Sequence, residues 1–237
     1  MTDRQNQFCL AFNSARFLTS AQKLDQCPQD HGIEIAFAGR SNAGKSSAIN
    51  ALCNNKGIAR TSKTPGRTQL INFFSFSDPD VRLVDLPGYG FAKVSHELKD
   101  EWGKHLDAYL RARQCLKVLV LIMDIRKPLT PFDQMMLDWS RESAKDTVVL
   151  LTKADKLKFG AAKTALLQVR KQTEGHPSIA AIHLFSSLKK EGIEACRQTL
   201  NGLIDNDPIK AHAECPDSST LAAGREPLAP TADPDRE

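Results

Sequence analysis

The sequence predicts an α/β fold: a mainly parallel sheet with one antiparallel edge strand and helices on both faces. Three observations carry that prediction. From Ile33 onward, strand-like apolar runs alternate with segments of helical periodicity. Val118–Met123 is continuously apolar, as expected of a strand covered by helices on both faces. Ser77-Asp78-Pro79-Asp80 separates two further runs, a hairpin signal that reverses one strand.

The elements follow in order. Ile33-Glu34-Ile35-Ala36-Phe37-Ala38 reads as a strand running into Gly39, and Lys45 to Cys53 as the helix after it. Leu70 to Ser77 and Val81 to Asp85 are the two arms of the hairpin. Leu98, Trp102, Leu106, Tyr109 and Leu110 fall on one helical face. Phe132, Met135, Met136 and Trp139, at i, i+3, i+4 and i+7, mark the next helix. Thr147 to Leu151 is a buried strand, and Ala162, Leu166 and Val169 stripe the helix behind it. Ala180 to Phe185 is the last strand, followed by a helix striped by Ile193, Cys196, Leu200, Leu203 and Ile204. These stripes read as core.

Three regions are expected. Residues 1–30 form an extension that packs on the domain through some of Phe8, Leu10, Phe12, Phe17 and Leu18, with a turn at Pro28-Gln29-Asp30. Residues 31–207 form the domain itself. Residues 208–237 hold five of the twelve prolines and almost no large apolar side chains, so they cannot offset the entropy of ordering and read as a disordered acidic tail.

At 237 residues, 41% apolar and 25% charged, the composition excludes a collagen-like, wholly disordered or disulfide-scaffold chain. The longest apolar run is six residues against the roughly 20 a membrane span needs, so no membrane partner is expected. The first residues lack the apolar stretch of a secretory signal, and neither end carries a lipidation motif. Six cysteines without a C-x-x-C pair read as reduced thiols in the cytoplasm. Net charge is +4, but positions 1–207 hold 29 basic and 22 acidic residues. A body of +7 suits an anionic partner such as RNA as well as it suits plain solubility.

The chemistry lies just beyond the strand ends, where ligands of open α/β sheets bind. Gly39-Arg40-Ser41-Asn42-Ala43-Gly44-Lys45-Ser46 is a complete G-x-x-x-x-G-K-[ST] phosphate loop between a strand and a helix. Its backbone N–H groups would cradle phosphates, Lys45 would reach the β- and γ-phosphates, and the Ser46 hydroxyl would ligate Mg²⁺. Asp85-Leu86-Pro87-Gly88 supplies a carboxylate for the Mg²⁺ shell and a Gly88 N–H for the γ-phosphate. Thr152-Lys153-Ala154-Asp155 places a carboxylate that pairs with guanine N1–H and its 2-amino group, donors that adenine does not offer there. The Lys153 stem can cover the ring. Phe185-Ser186-Ser187 would offer backbone donors to guanine O6. Between loop and hairpin, Gly66-Arg67-Thr68-Gln69-Leu70 belongs to a segment ordered by GTP and released on hydrolysis. Thr68 is the choice for the second Mg²⁺ ligand, with Thr61 and Thr64 as alternatives. Lys45, Thr68 and Gly88 are the candidate catalytic groups.

G-R-S-N-A-G-K-S, K-T-P-G-R-T-Q, D-L-P-G-Y-G, T-K-A-D and F-S-S-L-K-K, in this order over about residues 8–207, resemble the EngB/YsxC/YihA family of bacterial GTP-binding proteins. The resemblance implies a six-stranded Ras-like G domain that binds GTP and GDP with Mg²⁺ and hydrolyses GTP. It further implies a monomeric cytoplasmic switch in assembly of the large ribosomal subunit, with rRNA as partner and a link to cell division and septation. Tyr89 stands where many GTPases place a water-orienting Gln, so slow intrinsic hydrolysis is expected. Asn42 matches a position that helps hold an activating K⁺ in some related GTPases. Arg60, Lys63, Arg67, Lys93, Arg126 and Lys127 are candidate rRNA contacts.

Overall fold

The computed structural model describes residues 9–59, 70–88 and 106–211. Seven strands form one sheet: β1 (Arg16–Ala21), β2 (Ile33–Gly39), β3 (Ile71–Ser75), β4 (Val81–Asp85), β5 (Leu116–Asp124), β6 (Asp146–Thr152) and β7 (Ile179–Leu184). Their order is β1-β3-β4-β2-β5-β6-β7. Strands β4, β2, β5, β6 and β7 are mutually parallel, and β3 alone runs against its neighbours on both sides.

The helices are α1 (Lys45–Leu52), residues 106–112 (α2), α3 (Pro131–Glu142), α4 (Phe159–Gln172), α5 (Ile193–Asp205) and the single turn α6 (Pro208–Ala211). Alternation along the strands sends side chains to two cores. Ile35, Phe37, Val120, Ile122 and Leu150 meet α1 and α5 through Ile49, Leu52, Leu200 and Ile204. Ala36, Leu119, Leu121, Val149 and Leu151 meet α2, α3 and α4 through Tyr109, Met136 and Val169. The α/β sheet with helices on both faces is therefore present.

Three details depart from expectation. The sheet has seven strands rather than six, because Arg16–Ala21 adds outside β3. The reversed strand β3 is consequently second from the edge, not the edge itself. Exposed Phe17 and Leu18 gave that run a ragged pattern, while Leu10 and Phe12 sink into the core beside α5. In addition, Pro208–Ala211, placed in the disordered tail by composition, forms a helical turn. Lys210 ties that turn to Asp78 at 2.8 Å and Asp80 at 3.3 Å in the β3–β4 connection. Met135 is also solvent-exposed, so the α3 stripe is Phe132, Met136 and Trp139, supported by Leu137. A Thr130–Asp133 capping box starts α3.

Cys53, Cys115 and Cys196 are buried free thiols, and burial pushes each up to about 12. They are inert packing groups. Among the described residues, no helix is long and apolar enough to cross a membrane.

Candidate functional site

The parallel strands end on one side of the sheet, and four predicted segments meet there. Gly39 closes β2 beside β5: a Cβ at that position would lie 2.8 Å from Ile122 Cβ and 2.9 Å from its carbonyl oxygen. Only glycine lets the chain turn away there. The loop then runs through Arg40, Ser41, Asn42 and Ala43 to Gly44, whose φ of 103° aims the backbone into α1. Lys45 and Ser46 occupy the first turn of that helix, whose N–H groups carry the positive end of its dipole.

Lys45 is buried and forms an ion pair with Asp85 at the end of β4. The pair brings the start of α1 and the end of β4 together. Leu86 donates its N–H to the Phe37 carbonyl at 3.1 Å, so Leu86-Pro87-Gly88 continues alongside β2. Gly88 lies against Ser41, 3.4 Å from its Cα to the position of an added Cβ.

The end of β6 abuts the other side of the phosphate loop. Thr152 is buried, its hydroxyl reaching the Ala43 and Met123 carbonyls, the latter at 3.0 Å. Lys153 has a left-handed φ of 59°, which turns the chain sharply out of the strand. Its ammonium donates to the Asn42 carbonyl and pairs with Asp124 at 2.9 Å. One lysine thus joins the phosphate loop, the end of β5 and the start of the T-K-A-D turn.

Asp155 is held from β7. Ser186 is fully buried, and its hydroxyl donates to Asp155 Oδ1 at 2.7 Å. That bond, with a lesser contribution from Lys156, keeps the Asp155 carboxyl below its usual range despite partial desolvation. Ala154 donates its N–H to the Phe185 carbonyl at 3.1 Å, which locks the two turns together. Ser187 lies just beyond, half-buried.

Asp124 was not singled out as a site residue. It binds Arg126 through two hydrogen bonds, of 2.9 and 2.6 Å, as well as Lys153. These cations, Arg126 first, hold its carboxyl well below the ordinary carboxylate range. The available signal was an acidic residue ending an apolar strand between two strands that carry motifs. Arg126 and Lys127, candidate RNA contacts, are both exposed, and Arg126 is paired with Asp124. Leu70 lies immediately before β3, exposed to solvent. Gly66, Arg67, Thr68, Gln69, Tyr89, Arg60, Lys63 and Lys93 lie outside the described residues.

This end of the sheet offers backbone N–H groups and a lysine suited to an anion at one side, and a hydrogen-bonded carboxylate at the other. A family model described as 50S ribosome-binding GTPase matches residues 34–153. The fold is shared with a probable GTP-binding protein engB, at 22% identity and a TM-score of 0.59, covering 73% of this chain and 100% of that one. It is shared with Era in complex with MgGDPNP and a segment of 16S ribosomal RNA, at 22% identity and a TM-score of 0.56, covering 73% and 57%. A GTP-binding protein from Sulfolobus solfataricus in complex with GDP aligns at 20% identity and a TM-score of 0.52, covering 73% and 52%. The chain thus spans the whole of the first structure and little more than half of the other two.

Proposed function

Because the chain belongs to the 50S ribosome-binding GTPase family, we propose that it is a Mg²⁺-dependent GTP/GDP switch in assembly of the large ribosomal subunit. We place it in the cytoplasm, with rRNA as a partner, and expect normal cell division and septation to require it. The observation that carries this reading is the convergence of Lys45, Asp85, Lys153 and Asp155 on a single end of the sheet.

The residues divide the work. Backbone N–H groups of Gly39 to Ser46 face phosphates, and Lys45 neutralises their charge once it exchanges Asp85 for the nucleotide. Asp155 accepts two hydrogen bonds from the guanine edge and Lys153 covers the ring. Of Phe185-Ser186-Ser187, the first two N–H groups bind the Leu151 and Glu191 carbonyls, so Ser187 supplies the N–H for O6. The Gly88 N–H and Thr68 would sense the terminal phosphoryl group, with Gly66 to Leu70 as the segment that contacts it. Ser46, Asp85 and Thr68 are hard oxygen donors suited to magnesium. Among the described residues, no cluster of three or more His, Cys, Asp or Glu could hold a metal by itself. A bound Mg²⁺ would take its remaining ligands from phosphate and water. When bound, Mg²⁺ would neutralise charge on the β- and γ-phosphate oxygens.

Tyr89 in place of a glutamine favours slow turnover until a partner completes the site. A second reading follows from the same residue: a nucleotide-gated ribosome-binding module in which hydrolysis is incidental. Single-turnover hydrolysis with and without large-subunit precursors separates the two. Co-sedimentation with ribosomal subunits in a GTP-analogue state and in GDP tests the switch itself. Equal, salt-insensitive association in both states would refute it. Turnover compared in K⁺ and Na⁺ buffers decides whether a potassium ion beside Asn42 contributes; equal rates discard it.

A further inference from the structure

We propose that the face around the ends of β6 and β7, continuing into the groove beside α5, binds single-stranded RNA. This rests on the ribosomal role proposed above and names a contact surface for it.

Two turns form the ledge. Ser186 and Glu191 exchange backbone hydrogen bonds of 3.0 Å each, closing a tight loop that presents Leu188, Lys189 and Lys190. Lys190 itself is left-handed, with φ 56°, and the Ser186 hydroxyl accepts the Lys189 N–H at 3.1 Å. The loop is therefore preorganised, yet Leu188 is 78% exposed at its tip. Four residues beyond Asp155 stands Phe159, 80% exposed at the start of α4. The Ser186–Asp155 bond holds the two turns side by side.

The charge around these apolar groups is positive. Lys158, Lys189 and Lys190 are exposed and, among the described residues, form no ion pair. Asp155 is engaged by Ser186, leaving Glu191 as the free carboxylate of the loop. Lys190 also lines a cavity of about 920 Å³ between α1, α5 and the segment from Cys9 to Asn13. Asn54, Asn55 and Lys56 line it from the α1 side. Among the described residues, the one acidic group lining that groove, Glu194, is paired with Arg197 at 3.6 Å.

Unpaired lysines attract a phosphate backbone, a bare aromatic ring offers a stacking platform, and side-chain amides read base edges. Duplex RNA hides its base faces and cannot use Phe159 in this way, so the occupant is a single strand. An acidic protein surface would also pair these lysines, but it has no flat base to stack on the exposed Phe159 ring; the sedimentation arm below separates the two.

The test is fluorescence anisotropy of the full chain, loaded with GDP, against a labelled single-stranded RNA of about 12 nucleotides and its duplex. The single strand should bind more tightly than the duplex. Phe159→Ala should weaken it about tenfold. The double variant Lys189→Glu with Lys190→Glu should flatten the log–log salt slope by about 1.4, at about 0.7 per phosphate contact. GDP affinity and thermal midpoint should stay at wild-type values in both variants. No single-strand binding by the wild type, or binding that both variants retain, overturns the proposal. Co-sedimentation with large subunits is run in parallel. Wild-type protein that sediments with particles but ignores RNA, with both variants released, shows a protein-binding face and overturns the RNA assignment. Wild-type protein that fails to sediment removes the ribosomal reading, while the RNA titration still decides the face.

Discussion

Ser186 donates its hydroxyl proton to Asp155 Oδ1 at 2.7 Å from a fully buried position, while accepting the Lys189 N–H. The carboxylate that would read the base is thus oriented chiefly from beyond a neighbouring strand, with Lys156 of its own turn adding a weaker contact at 3.7 Å. A hydrogen bond to a charged group is worth about 1.5–3 kcal/mol. Ser186→Ala should therefore lower GDP affinity by roughly tenfold or more, measured by calorimetry. The pH dependence has a definite sign. Asp155 titrates below its usual range in the folded chain, so its stabilisation is present above the ordinary carboxylate pKa and lost as pH falls through the lower value. Without Ser186, that loss should begin at higher pH. Unchanged affinity together with an unchanged acid limb would refute the positioning role.

Asp155→Asn tests base reading directly. An amide presents a donor where guanine also presents donors, whereas xanthine offers an oxygen. Competition between GDP and XDP should move toward the xanthine nucleotide. A variant that keeps its guanine preference would remove Asp155 from the site.

Asp124 makes a further prediction. Its carboxylate holds Lys153 at 2.9 Å, and Lys153 in turn grips the Asn42 carbonyl. Asp124→Asn removes the charge that fixes the ammonium, so the phosphate loop and the base-reading turn lose a common tether. GDP release should accelerate about tenfold, a cost of about 1.4 kcal/mol. Because the wild-type carboxyl titrates well below its usual range, its bonds persist as pH falls to about 4 and are lost only below that. Stopped-flow release of a fluorescent GDP analogue at neutral pH and near pH 5 checks both statements. The wild type should show no Asp124-dependent change between the two conditions.

Much of this architecture was legible because its causes are local. Gly39 and Gly44 announce a backbone turn, the apolar run Val118–Met123 announces a doubly covered strand, and Asp78-Pro79 announces the hairpin. Strand β1 was obscured because an edge strand buries little: Phe17 and Leu18 point to solvent, so no two-residue alternation marks it. The turn at Pro208–Ala211 owes its place to Lys210 reaching residues 130 and 132 positions away, which composition cannot reveal. The same applies within the site. Thr152, Lys153 and Asp155 stand out as a motif, but the Ser186 hydroxyl and Asp124 acquire their roles through partners brought by other strands.

Glu34 illustrates the same limit at the opposite end of the sheet, and it supplies the strongest stability prediction. It sits near the start of β2, fully buried, where a strand covered on both faces would place an aliphatic side chain. Its carboxylate accepts from Arg82 Nε at 3.2 Å, Arg113 Nε at 3.2 Å, a second Arg113 nitrogen, and the Tyr109 hydroxyl at 2.7 Å. Both arginines also donate to carbonyls that precede β2: Arg82 to Gln29 at 3.0 Å and Arg113 to Pro28 at 2.8 Å. The node therefore clamps β2, β4, α2 and the chain entering β2. Removing one partner of a buried ion pair costs about 3–5 kcal/mol, because the opposing charge is left desolvated. Glu34→Gln should cost that much in urea unfolding. Tyr109→Phe, which leaves every charge paired, should cost only about 1 kcal/mol. Since the node lies at the far end of β2 from the phosphate loop, GDP affinity of the folded Tyr109→Phe protein should equal that of the wild type. Equal losses for the two variants would mean that packing, not charge compensation, holds this corner together.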